Sequence, residues 1–161
     1  MSARSVVRSI AAVLIVVGGA GAGPGLRSAV AQRVNCPGAS CDVAVTVTGS
    51  PTSPTIRVSA NELKMEKGRR NVMITWKLVD APDYEFREGS ISAHAAAATA
   101  GKQTTTKAEW DAQCQFQNNN GKQYKVKNKN DAPATLYYNV KVCRKGTENC
   151  WTLDPAIMNE P

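Results

Sequence analysis

The sequence predicts an all-β domain, a sandwich or barrel of seven to eight short strands. Two observations carry this. Apolar and polar residues alternate with period two in short runs, while helical periodicity is nearly absent once residues 1–31 are set aside. Turn clusters separate the runs at roughly ten-residue intervals, the spacing of strands in such folds: Gly49-Ser-Pro-Thr-Ser-Pro, Lys67-Gly, Asp80-Ala-Pro-Asp, Asn118-Asn-Asn-Gly and Asn130-Asp-Ala-Pro.

The first segment is not part of that domain. Arg4 and Arg8 make a basic start, residues 9–17 an apolar run, residues 18–25 a stretch of small residues, and Ala29-Val-Ala31 a small-x-small site before Gln32. That order is a cleaved secretory signal. Its strongly apolar part, residues 10–17, is well short of the roughly 20 residues a membrane span requires. Cleavage after Ala31 leaves one domain, residues 32–161, of ordinary size for a single core, in a periplasmic or extracellular compartment. The chain has 20 basic and 13 acidic residues, and Arg4, Arg8 and Arg27 leave with the signal, so the mature balance is +4. This permits weak attraction to anionic polymers but not the dense basic patch of a dedicated nucleic-acid binder.

Each run then has its own pattern. Val43, Val45 and Val47 alternate, followed by Ile56 and Val58, then Leu63 and Met65. Val72, Ile74, Trp76 and Leu78 form the clearest inward face, with Trp76 as the expected centre of the core. Residues 84–86, 112–117 (Cys114 and Phe116 in phase) and 122–128 (Tyr124 and Val126 in phase) are further strands. Leu136, Tyr138, Val140 and Val142 point inward on the last long strand, which turns Tyr137, Asn139, Lys141 and Cys143 outward. Residues 91–106, rich in Ala, Ser, Thr and Gly, read as a long surface loop in which residues 95–98 form at most a helical turn.

All five cysteines follow the cleavage site and so meet an oxidising compartment. Cys143 and Cys150 flank a six-residue turn, Cys36 and Cys41 a four-residue one, so each pair is expected to form a local bridge. Cys114 is left over, either buried as a free thiol or bridged to Cys36 or Cys41. Zinc requires closer cysteine pairs or nearby histidines, and no metal or cofactor is expected.

Trp76, Asn128-Lys-Asn130, the 136–142 run with its paired tyrosines, and the terminal Leu153-Asp-Pro-Ala-Ile-Met-Asn159 follow one another in a distinctive order. Over about residues 71–161 this resembles the small bacterial β-sandwich proteins with a C-terminal Asp-Pro-x-Ile-x-Asn signature, the DP-EP family, and through them the AidA/PixA inclusion-body proteins. The resemblance implies an immunoglobulin-like antiparallel β-sandwich. It implies no activity, and the stretch around Ala95 and the extra cysteines depart from it.

No catalytic constellation stands out. His94, the single histidine, reads as an exposed loop residue: a blue-copper site needs a second histidine, and no nucleophile elbow accompanies Ser90 or Ser92. Asp154 before Pro155 reads as a turn that positions the last segment. Lys125, Lys127 and Lys129 project from one face of a strand, as on a solvated edge, and alternatively as a basic stripe for an anionic polymer. Together with Trp110, Tyr137 and Trp151, which have no firm inward phase, they are the candidate ligand surface. The expected function is non-enzymatic recognition of a protein or a cell-envelope glycan. One alternative is a hydrolase or thiol-redox protein with a site near His94 or Cys114. The other is a structural protein that self-associates through sheet edges as a homo-oligomer.

Overall fold

The computed structural model describes residues 32–94 and 103–161. The expected secretory signal and the expected turn at residues 95–98 lie outside the described residues. Among them, twelve strands and one helix form two facing sheets, an all-β sandwich-like fold. β1 (Arg33–Cys36), β4 (Glu62–Met65), β6 (Tyr84–Glu85), β7 (Ile91–Ala93), β10 (Ala134–Arg144), β11 (Cys150–Leu153) and β12 (Ala156–Asn159) make one sheet. β2 (Ser40–Ser50), β3 (Ser53–Val58), β5 (Val72–Val79), β8 (Cys114–Asn119) and β9 (Gln123–Asn128) make the other, in the order β3-β2-β5-β9-β8.

The period-two faces meet between the sheets. Val43, Val45, Val72, Ile74, Trp76 and Val126 on one side pack against Leu63, Met65, Leu136, Tyr138, Val140, Val142 and Ile157 on the other, in one buried cluster. At its centre the Trp76 and Tyr138 rings meet edge to face with centroids 5.4 Å apart, and Trp76 Nε1 donates to the Tyr138 hydroxyl at 3.3 Å.

Two features of the expected sandwich change. There are twelve strands rather than seven to eight, because β1, β7, β11 and β12 are only three to four residues long and gave no alternation to read. The sheets are also mixed rather than antiparallel: β2 runs parallel to β5, and β4 runs parallel to both β1 and β12.

β10 organises the larger sheet. Its even-numbered amides bond toward the C-terminal strands, Tyr138 N–H to the Pro155 carbonyl and Arg144 N–H to that of Asn149. Odd-numbered groups bond the other way, with Lys141 N–H to the Ser90 carbonyl and His94 N–H to that of Tyr137. The register is continuous across Asp154-Pro155, with Leu153 opposite Val140 and Ala156 opposite Tyr137. β11 and β12 are therefore halves of one strand, broken where proline has no N–H to give.

The sequence reading fails locally in three places. Residues 107–113 are helical, so only the second part of the expected 112–117 strand exists; Thr106 Oγ1 accepts from Glu109 N–H while the Glu109 carboxylate accepts from Thr106 N–H, a capping box that starts α1 (Lys107–Gln113). The expected 91–106 loop begins as strand β7 and ends at this cap. Cys143 does face outward with its partner Cys150 beside it, yet it is fully buried.

Cys36 is bonded to Cys41, tying β1 of one sheet to β2 of the other, and Cys143 is bonded to Cys150 across the β10–β11 hairpin. Such bridges fit an oxidising environment. Among the described residues no helix is long and apolar enough to cross a membrane. A buried amide cluster closes the end of the sandwich opposite that hairpin: Asn128 Nδ2 donates to Asn159 Oδ1 at 2.6 Å, and Asn159 Nδ2 donates to Gln113 Oε1 at 3.3 Å. The asparagine that ends the terminal motif thus ties β12 to the facing sheet.

Candidate functional site: a groove on the outer face of the larger sheet

Residues opposite one another in register share a face, so the outer surface can be read in rows. One row runs from His94, just past β7, through Tyr137, Ala156 and Glu62 on β10, β12 and β4. Ala156, the small member, sits between Tyr137 and Glu62 and forms the floor of a groove of about 540 Å³ whose walls include Asn61, Glu62, Thr135, Tyr137, Asp154 and Met158. The break at Asp154-Pro155 sets the carboxylate at the rim. Glu62 is steadied by Arg33, whose Nη2 donates to Oε1 at 3.0 Å. The Tyr137 backbone N–H donates to Thr105 Oγ1 at 2.7 Å, and its phenol hydroxyl has no hydrogen-bond partner among the described residues.

Asp154 is held from behind. His94 Nδ1 lies 2.8 Å from Asn139 Oδ1 and 3.4 Å from Asp154 Oδ1. Both neighbours are acceptors, so Nδ1 carries the hydrogen. His94 is 4% exposed, not the free loop residue its Ala-rich context suggests, because its backbone joins the ladder beside β10. Its Nε2 is buried and has no partner among the described residues. A hydrolytic triad needs that nitrogen at a nucleophile's hydroxyl, and the Ser90 hydroxyl is instead taken by the Arg87 N–H at 2.8 Å. His94 is a positioning residue for Asp154 and the wall of the groove.

Cys114 is neither bridged nor activated. It is a free, buried thiol, and burial, with Asp111 adding to it, pushes its pKa up to about 12. Thiol chemistry requires the opposite shift.

The six residues of the candidate ligand surface separate into different places. Tyr137 lines the groove. Trp110 is 7% exposed and stacks on Tyr138 with centroids 5.8 Å apart, so the core claims it through the apolar face of α1. Trp151 is half-buried and packs edge-on against Tyr84. Lys129 Nζ donates to the Ala112 carbonyl at 2.7 Å, at the end of α1. Lys125 and Lys127 lie on the outer face of the five-stranded sheet, and their strand is not an edge: β9 runs between β5 and β8. Sequence reasoning missed Asn61, Glu62 and Ala156, which become neighbours of Tyr137 only through pairing with β4 and β12.

No protein-family model matches the chain, and no curated protein matches it.

Proposed function

We propose that the protein is an exported, non-enzymatic recognition module that binds a cell-envelope glycan in the groove beside Tyr137. The observation that carries this reading is the row Tyr137–Ala156–Glu62, in which an aromatic ring and a carboxylate flank a floor made by one methyl group. A sugar ring presents the complementary chemistry, a C–H face for the ring and hydroxyls for Glu62, Asp154 and Asn61. Apolar walls with a few fixed polar groups, at this size, are the usual form of a small-ligand site. Among the described residues no lysine or arginine lines the groove, which favours a neutral or amino sugar over an acidic one.

Self-association through sheet edges has less support. The free edge β8 exposes Phe116, but it carries a register irregularity between Phe116 and Asn118, and Gln117 Nε2 donates to the Gln115 and Phe116 carbonyls. Bulges and occupied carbonyls blunt an edge.

The test is titration of the mature protein with chitooligosaccharides and neutral β-glucan fragments, followed by calorimetry and by amide shifts. Binding that perturbs residues 61–62, 137 and 154–156, is lost at least tenfold in Tyr137→Ala and is kept in Tyr137→Phe supports the reading. Absence of binding at millimolar sugar, or equal binding by Tyr137→Ala, overturns it.

A further inference from the structure

The opposite face of the molecule has a different charge pattern. Cross-strand register on the five-stranded sheet gives three outward rows: Ser40, Met73, Lys127 and Gln115; Asp42, Thr75, Lys125 and Asn118; Ala44, Lys77 and Gln123. Arg57 lies outward beside Thr46 on the same face. Asp42 is the single carboxylate among these strand residues, and Lys77 occupies it at 2.5 Å. Among the described residues Lys125 and Lys127 have no acidic partner, nor does Arg57. Around the larger sheet the acids are taken instead: Glu62 by Arg33, Glu160 by Lys64, Glu85 by Arg87. The outer face of the five-stranded sheet thus carries Arg57, Lys125 and Lys127 with one acid, Asp42, already held by Lys77, whereas Glu62, Glu85 and Glu160 around the larger sheet each sit in an ion pair.

The geometry of these cations is regular. Lys125 and Lys127 are two residues apart on one strand, so their stems rise from the same face about 7 Å apart. Lys77 stands diagonal to Lys125 across the β5–β9 ladder. Thr75, directly opposite Lys125, is only 5% exposed, as expected when lysine stems lie over a shorter neighbour and hold their heads outward. Gln115, Gln123 and Asn118 surround the lysines with neutral amide donors and acceptors. No aromatic side chain lies in these rows, and the exposed Phe116 stands at the β8 edge in the row of Val126, so the lysines lack the run of aromatic platforms that single-stranded nucleic acid uses.

We propose that this sheet face docks a linear acidic polysaccharide, its carboxylates lying along Lys127 and Lys125, beside the Lys77–Asp42 pair, and its hydroxyls meeting the flanking amides. The surface is separate from the Tyr137 groove and does not depend on it. A protein holding both would join a neutral or amino sugar on one side to an acidic chain on the other.

The experiment measures binding of the mature protein to polygalacturonate by calorimetry between 20 and 200 mM salt, with dextran as the neutral control. Saturable binding to polygalacturonate and none to dextran is expected, weakening with salt as counterions are reclaimed. Lys125→Gln with Lys127→Gln should lower affinity at least tenfold and flatten the salt dependence, while Lys125→Arg with Lys127→Arg should retain it. A charge-matched control, Lys107→Gln with Lys145→Gln, should change affinity less than threefold, as should Tyr137→Ala. An equal loss in the charge-matched control would mean that net charge alone is responsible and would overturn the proposal. Tighter binding to an oligothymidine or to phosphatidylglycerol vesicles than to polygalacturonate would overturn it in favour of those partners. A loss in Tyr137→Ala alone would move acidic-sugar binding to the groove.

Discussion

Replacing Trp76 by alanine tests the centre of the fold. The side chain is fully buried, and its indole both packs against Tyr138 and donates to its hydroxyl. Emptying a large aromatic site in a core costs about 3–5 kcal/mol. Tyr138 is itself inaccessible to water, so its hydroxyl would lose its donor, a penalty of about 1–3 kcal/mol. The two contributions overlap, because a void with a hydroxyl in its wall can admit a water molecule. A net loss of about 4–6 kcal/mol is expected, a large share of the roughly 5–15 kcal/mol of a typical domain. Trp76→Phe, which keeps most of the packing and removes the donor, should cost about 1–3 kcal/mol. Urea denaturation of the oxidised protein, followed by far-ultraviolet circular dichroism with the slope held common, gives both values. In the Trp76→Phe background Tyr138→Phe should cost less than in the parent, since the hydroxyl no longer has a partner to lose. A Trp76→Ala loss below about 1 kcal/mol, the scale of an average substitution, would refute the placement of the ring between the sheets.

Two further outcomes follow from buried groups. Asn159→Ala should cost about 2–4 kcal/mol, because it strands the amides of Asn128 and Gln113 in a dry site; a melting temperature equal to the parent's would contradict that role. The raised Cys114 thiol makes stability fall in alkali: below its ordinary value of 9.0 the thiol is protonated in both states, and from there to about 12 only the unfolded chain releases the proton. The loss is about 1.4 kcal/mol per pH unit, Tyr138, also raised by burial, adds to it at higher pH, and Cys114→Ala should remove the thiol's share in denaturation measured at pH 8 and 10.

Long strands reveal themselves in a sequence because alternation needs several residues to register. Val72, Ile74 and Trp76 of β5 and Leu136 to Val142 of β10 did so, whereas three-residue β7 could not. The helix had a visible signal in Thr106-Lys-Ala-Glu109, outweighed by the period-two phase assigned from Ala112 onward. Lys125 and Lys127 had the correct alternation but the wrong setting, since the order of strands within a sheet depends on long-range pairing. The groove was hidden for the same reason: nothing near Tyr137 in sequence indicates that Ala156 and Glu62 complete its row. His94 shows the limit of composition, because an Ala-rich context says little about a residue whose backbone is captured by β10.

The place of β12 bears on how the protein is made. β4 runs parallel to β12, Glu62 opposite Ala156, so a segment produced early is held on one side by one produced almost a whole domain later. Contacts of such sequence separation form slowly. A chain emerging N-terminus first would keep the edge of β4 and the apolar faces of the early strands uncovered until residues 156–159 arrive, a state in which chains aggregate or bind chaperones. The larger sheet is therefore completed by the last residues of the domain to be made, and folding is expected to end in one late closure of β12 onto β4.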